Sequence, residues 1–291
     1  MPYYPGFEAT SGASPAIGRS DRVICHPYRC VFIHIPKTGG ISVDHVFLDL
    51  VGLTWNTRAP LLLRANDDPA KGPPRLAHLK ATEYVSCGHL SPDQFNAYCK
   101  FSFVRNPWDR IVSEYKYRGH PMRMSFKTWL FEHLPEPGFT DAYRHIVPQH
   151  EFIHDAEGRL LADFVGRYES LQADFDVICE RLGIPRTPLP HQNRSLEAPR
   201  IQSFNALKKR IRRWLWTLHP RNVHPHYTDY YDDESRAYVA ERYHKDIELF
   251  GYAFGAPAPT TGAGAGHLAE DPGRRREEPG EHVVRAAEED L

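Results

Sequence analysis

Residues 31–42 read VFIHIPKTGGIS, and the order of residue types along them decides the fold class. Val31 to Ile35 is a short run of β-branched and aromatic residues, the composition of a strand. Pro36 to Gly40 is turn chemistry. Ile41, Val43, Val46, Phe47 and Leu50 then recur at helical spacing. Strand, tight loop and helix in that order make the unit from which parallel-sheet α/β folds are built.

The same theme returns further along the chain. Tyr84 to Cys87 reads as a weaker strand, leading to a helix start at Ser91 and Pro92, where a serine caps and a proline suits the first helical position. Phe101 to Val104 reads as a third strand, with its helix beginning near Pro107. Asp163 to Tyr168 (DFVGRY) reads as another, after which Leu171, Phe175, Ile178, Cys179 and Leu182 mark one helical face that stops at Gly183 and Pro185. The expected fold is α/β in three layers, with a mainly parallel central sheet flanked by helices. The ligand site is expected at the carboxyl ends of the strands.

Outside this region the composition changes. Residues 1–22 mix Gly, Pro, Ser and Ala without periodicity and read as a flexible arm. Asn66 to Pro74 reads as a surface loop. Residues 256–291 are rich in small, proline and charged residues, too poor in apolar surface to offset their ordering entropy, and are expected to be disordered.

Thirty-six Lys and Arg face 37 Asp and Glu across 291 residues, so an anion site must come from local placement of charge, and bulk nucleic-acid binding is not expected. The five cysteines are odd in number and form no CxxC pair, which favours reduced thiols in a cytoplasmic compartment. Cys25, His26 and Cys30 have the makings of half a zinc site, but no second ligand pair accompanies them. Ordinary thiols are the preferred reading, and no metal site is expected. No basic start precedes an apolar run, and no stretch approaches the ~20 apolar residues of a membrane span, so a soluble, unsecreted protein is expected.

The turn in the opening stretch carries the first chemistry. Gly39 and Gly40 let the backbone turn tightly and approach a ligand, and the following helix presents unpaired N–H groups from Thr38 through Ile41 to Ser42 at the positive end of its dipole. Lys37 adds a mobile charge, while Thr38 and Ser42 add hydroxyls. Taken alone, the residues allow either a phosphate cradle or a plain glycine turn beside an exposed lysine. They exclude a Walker A loop, whose lysine follows the last glycine, and no strand ends in an aspartate placed to hold magnesium. A phosphate cradle without that apparatus points to a donor whose transferred group needs no magnesium.

The most specific string is FSFVRNPWDRIVSEY, residues 101–115. Its strand delivers Arg105 to the carboxyl edge of the sheet, where a guanidinium fork suits a phosphate, and Ser113 follows two helical turns on as a further donor. Trp108, Ile111 and Val112 read as helix packing, and Asp109 and Arg110 as partners in ion pairs.

These two strings resemble the sulfotransferases that use 3'-phosphoadenosine-5'-phosphosulfate (PAPS), especially the carbohydrate O-sulfotransferases of the heparan and chondroitin type and their bacterial relatives. IPKTGGIS is similar to that family's loop for the 5'-phosphosulfate, and FVRNPWDRIVSEY to its motif for the 3'-phosphate. Further similarity runs through RHIVPQ (144–149), DFVGRYESL (163–171), LPHQNRS (189–195) and the terminal YYDDESRAYVAERYHKDIELFGY. The resemblance implies a sulfotransferase domain over 23–255, a P-loop-like fold, PAPS as donor and PAP as product with no metal required, and a hydroxyl-bearing acceptor, a saccharide first.

By that resemblance Lys37 stabilises charge on the leaving side, helped by the backbone of Thr38, Gly39, Gly40, Ile41 and Ser42. Arg105 and Ser113 hold the 3'-phosphate, and Arg167 with the YES segment makes nucleotide-side contacts, though an arginine at a strand end serves equally in an ion pair. His89, after the second expected strand, is the candidate general base, since an imidazole titrates near neutral pH. His145 and His191 are the alternatives, Gln149 is a candidate acceptor contact, and His34 reads as packing. Leu207 to Leu218 forms an apolar stripe with Lys and Arg on its other faces. It reads as a packed helix with a solvated basic side, or as a contact for an anionic sugar or a membrane surface, which would make the protein membrane-peripheral. Two rivals stay open: a nucleoside-triphosphate phosphotransferase, and a nucleotide-binding protein without catalysis.

Overall fold

The computed structural model describes residues 23–54, 56–57, 72, 78–190 and 222–258. The expected N-terminal arm, most of the 66–74 loop, His191, the basic stretch 207–218 and nearly all of the expected tail lie outside the described residues.

Among the described residues four strands form one sheet in the order β1 (Val23–Cys25), β2 (Cys30–Phe32), β3 (Cys99–Val104) and β4 (Phe164–Arg167). β1 runs antiparallel to β2, and β2, β3 and β4 are mutually parallel. The register places Phe32 beside Phe101, Phe101 beside Phe164, and Val104 beside Arg167. The residues leaving β2, β3 and β4 therefore emerge at one edge, where the sequence places Lys37, Arg105 and Tyr168. Period-two alternation sends successive side chains of a strand to opposite faces. Val31, Ile33 and Val104 join one buried cluster, whereas Phe32, Phe101 and Phe103 join another.

Helices cover both faces. α1 (Gly40–Leu50) and α8 (Leu171–Leu182) close the second cluster through Val43, Val46, Phe47, Phe175 and Ile178. On the first face lie α2 (Glu83–Ser86), α3 (Pro92–Ala97) and α7 (His150–Ile153), through Tyr84, Phe95, Phe152 and Ile153. A third cluster joins α4 (Pro107–Arg118) and α5 (Phe126–Glu132) to α9 (Asp233–Arg242), with Trp108, Trp129 and Val239 in its interior. The short α6 (Asp141–Arg144) precedes α7, and α10 (His244–Phe250) packs Phe250 into the first cluster. No helix among the described residues is long and apolar enough to cross a membrane.

The local signals act as their chemistry requires. Ser91 and Gln94 form a reciprocal capping box with Pro92 at the first position of α3. Asn106 caps α4 by accepting from the Trp108 N–H, with Pro107 opening the helix. Gly119 and Gly183 end α4 and α8 in the left-handed conformation.

The second expected strand is a correction. Residues 83–86 form a single helical turn, because Glu83 turns its carboxylate back to accept the Lys80 N–H at 2.7 Å and Gly88 reverses the chain at a φ of 71°. The His89 and Leu90 N–H groups then both bond the Tyr84 carbonyl. The apolar character behind the strand reading belongs to Tyr84, which is fully buried with its hydroxyl donating to the Phe32 carbonyl. The fourth strand of the sheet is instead β1.

Candidate functional site

The turn after β2 is held from three sides. Thr38 is fully buried and donates its hydroxyl to the Ile35 carbonyl at 2.8 Å, closing the turn. Ser42 donates to the Pro190 carbonyl at 2.7 Å. Gly39 has a φ of 87°, and a Cβ there would meet Leu171 Cδ2 at 2.6 Å. A Cβ on Gly40 would collide with the His34 ring beneath it. His34 is buried, stacked on Phe32 and 3.5 Å from the Asp44 carboxylate, in keeping with a packing role. Gly39 offers α1 no side-chain cap, and the Ser42 N–H turns back onto the Gly39 carbonyl at 3.0 Å; a helix start that follows a glycine turn is an arrangement that suits an anion.

Arg105 meets this turn directly. Its Nη1 donates to the Lys37 carbonyl at 3.1 Å, while Nε and Nη2 both donate to Asp109 Oδ2 at 2.9 and 2.7 Å. Its guanidinium lies 4.0 Å from the centroid of the Tyr168 ring, a stacking arrangement that fixes the plane of the fork. Gln149 clamps the Arg105 backbone on both sides, accepting from its N–H and donating to its carbonyl. Ser113 is half-buried one helical turn beyond Asp109, on the same edge of α4. Arg110, fully buried, bonds the carbonyls of Pro36, His145 and Val147 at 2.9–3.0 Å. It ties the glycine turn to the segment carrying His145, a through-space role in place of the expected ion pair.

Lys37 itself has a left-handed backbone, with a φ of 69°, costly for a residue with a side chain. Its Nζ lies 3.9 Å from the Tyr117 ring centroid. Tyr117 stacks on His145 at 5.6 Å, and His145 Nδ1 is 2.6 Å from Glu114 Oε2. Burial lowers the Lys37 pKa to about 8, with Glu114 working against that shift and Arg105, Arg118 and Arg110 with it. Burial also pushes Glu114 upward, but the His145 hydrogen bond and charge, together with Arg118, bring it down to about 2. A lysine ammonium, an aromatic ring, an imidazole and a fixed carboxylate thus form a continuous line along the site.

The sequence-predicted residues divide into three groups. Lys37, Thr38, Gly39, Gly40, Ile41, Ser42 and Arg105 are brought together at one edge, with Ser113 on the adjoining face of α4. His89 is half-buried just past α2, its N–H on the Tyr84 carbonyl at 2.9 Å, and the histidine whose ring contacts lead to Lys37 is His145. Arg167 is 1 % exposed, with Nη2 on the Phe250 carbonyl and its guanidinium 5.0 Å from the Tyr252 ring centroid. Its Nε and Nη1 are buried beside the Tyr252 ring and, among the described residues, make no hydrogen bond of normal length. Gln149 is fully buried, with both ends of its amide engaged on the Arg105 backbone. Tyr168 belongs to the YES segment that the sequence singles out, whereas Glu114 and Tyr117 were missed, and their position on α4 one and four residues beyond Ser113 was the available signal.

Comparison with known proteins places the chain in a family. The model of the sulfotransferase family matches residues 20–253. An uncharacterized protein of Archaeoglobus fulgidus is 29% identical over 99 residues, covering 31% of this chain and 72% of that protein. Carbohydrate sulfotransferase 10 of Danio rerio is 27% identical over 146 residues, half of this chain but only 37% of that relative. No solved structure gives a significant match. With a family match over most of its length and the glycine turn and Arg105 at one sheet edge, the chain belongs to the sulfotransferase family.

Proposed function

We propose that the protein transfers a sulfuryl group from PAPS to a hydroxyl of an acceptor, with a saccharide as the first acceptor class to test. The observation that carries this reading is the direct bond between Arg105 and the Lys37 carbonyl, which couples a phosphate fork to an uncapped helix start. The β2, turn and α1 unit is then a P-loop-like cradle for the 5'-phosphosulfate, and Arg105 with Ser113 receives the 3'-phosphate once Asp109 yields part of the guanidinium. The acceptor oxygen attacks sulfur in line, the sulfur–oxygen bond to the 5'-phosphate breaks, and its electron pair leaves on PAP. Lys37 and the first N–H groups of α1 meet the charge growing on that oxygen. The acceptor proton passes to a histidine.

His89 is the base proposed from the sequence. A second reading is favoured by one contact: Glu114, held ionised, sits 2.6 Å from His145 Nδ1, and a base oriented by a carboxylate is a recurrent catalytic pairing. Replacing each histidine by alanine separates them. The base is the one whose loss cuts kcat by ~100-fold or more and flattens the acidic limb of the rate profile. The basic stretch 207–218 is proposed to meet an anionic sugar or membrane surface.

The donor assignment is tested by thermal melting. PAP without metal is expected to raise the melting temperature, by about 2.7 kcal/mol of stabilisation at a hundredfold excess over Kd, and ATP with magnesium much less. Equal stabilisation by the two would sink the assignment and favour a phosphotransferase.

A further inference from the structure

Beside the Lys37 line stands a cluster that sulfuryl transfer does not call for. His78, Asp141 and His145 each offer one ligand atom, and the three atoms lie within 4.8 Å of one another. We propose that these three side chains form a binding site for one zinc-type divalent ion per chain. This inference stands independently of the donor and acceptor.

The spacing suits such an ion. Metal–ligand bonds of ~2.0 Å in a tetrahedron put ligand atoms roughly 3.3 Å apart, and His145 Nε2 is 3.6 Å from Asp141 Oδ1. The His78 and His145 rings meet edge to face with centroids 4.9 Å apart. The remaining adjustment falls to Asp141, whose side chain is about half exposed.

The supporting contacts are the stronger argument. A metal-bound histidine usually commits its other ring nitrogen to a carboxylate or a backbone carbonyl, which fixes ring orientation and tautomer. Here His145 Nδ1 pairs with Glu114 Oε2 at 2.6 Å, and His78 Nδ1 with the His34 carbonyl at 3.1 Å. Asp141 follows the same pattern, its Oδ2 accepting from Arg118 Nη2 at 2.8 Å while Oδ1 faces His145. Each of the three ligands therefore has its own orienting partner. Two imidazoles and one carboxylate favour zinc or a neighbouring transition metal over magnesium or calcium, and three protein ligands leave a fourth position for water. An ion on His145 Nε2 and a proton on that atom exclude one another.

Cobalt(II) reports such a site without any turnover assay. Titrating the full chain with Co2+ at neutral pH is expected to develop visible absorption that saturates at one ion per chain and is displaced by Zn2+. Asp141→Asn, at a half-exposed position, and His78→Gln are each expected to weaken binding tenfold or more, at least the scale seen for losing an orienting partner. With 17 histidines in the chain, His244→Ala, at an exposed position on α10, serves as the control and is expected to change nothing. No saturable absorption, or absorption left intact by Asp141→Asn in a protein with native circular dichroism, would overturn the proposal.

Discussion

Burial lowers the Lys37 pKa from 10.5 to about 8, which ties its chemistry to stability. Between about pH 8 and 10.5 the unfolded chain still holds a proton that the folded chain has released, so stability rises with pH across that window. Below pH 8 the buried charge is a cost. Lys37→Met is therefore expected to melt higher than the parent at neutral pH, with the difference shrinking as pH rises toward 10.5, while turnover falls at least ~100-fold and PAP binding falls less. A melting difference independent of pH would contradict the assignment. Glu114 behaves oppositely. Its pKa falls from 4.5 to about 2 despite burial, so its contribution is complete above pH 4.5 and is lost as pH drops toward 2. Glu114→Gln is expected to cost on the order of 3 kcal/mol at neutral pH, measurable by denaturant melts, with the gap closing through that acid range.

Among the elements, α1 shows how packing and binding are joined in the same glycine. Gly40 sits on the His34 ring, so Gly40→Ala is expected to cost about 1–3 kcal/mol by overpacking and also to weaken PAP binding at least tenfold by tilting the start of α1. Ser125, the cap of the remote α5, is the comparison: Ser125→Ala is expected to cost about 1 kcal/mol with PAP affinity unchanged. Isothermal titration of both variants checks the contrast, and equal affinities would detach α1 from the donor. The elements also show what was legible in advance. The turn at 36–40 and the motif at 101–115 are contiguous, so residue order alone revealed the cradle and Arg105. β1 was missed because three residues carry no periodic pattern, and 83–86 misled because Tyr84 is apolar for reasons of burial that suit a helix equally. Tyr117 over Lys37, Tyr168 over Arg105 and the three carbonyls on Arg110 are contacts across tens of residues, which no spacing rule encodes.

At the scale of the whole molecule, the described C-terminal segment buttresses the site from behind. Asp246, fully buried on α10, accepts from the Gln149 and His150 N–H groups. Gln149 clamps Arg105, and Tyr243 donates its hydroxyl to the Ile146 carbonyl at 2.6 Å. Trp108 Nε1 donates to the Arg236 carbonyl, and Glu169 links the Asn106 N–H to the Tyr252 hydroxyl. These bonds join β3, β4 and the last two described helices into one frame, and all of them lie within the span of the family match. The most direct test of the central claim is transfer from radiolabelled PAPS, followed with purified full chain across a panel of glycans and small alcohols. Label is expected to move to at least one hydroxyl-bearing acceptor without added metal, with release of PAP, and to stop in Lys37→Ala. Retained transfer by Lys37→Ala, or no transfer to any member of the panel by a parent protein that binds PAP, would contradict it.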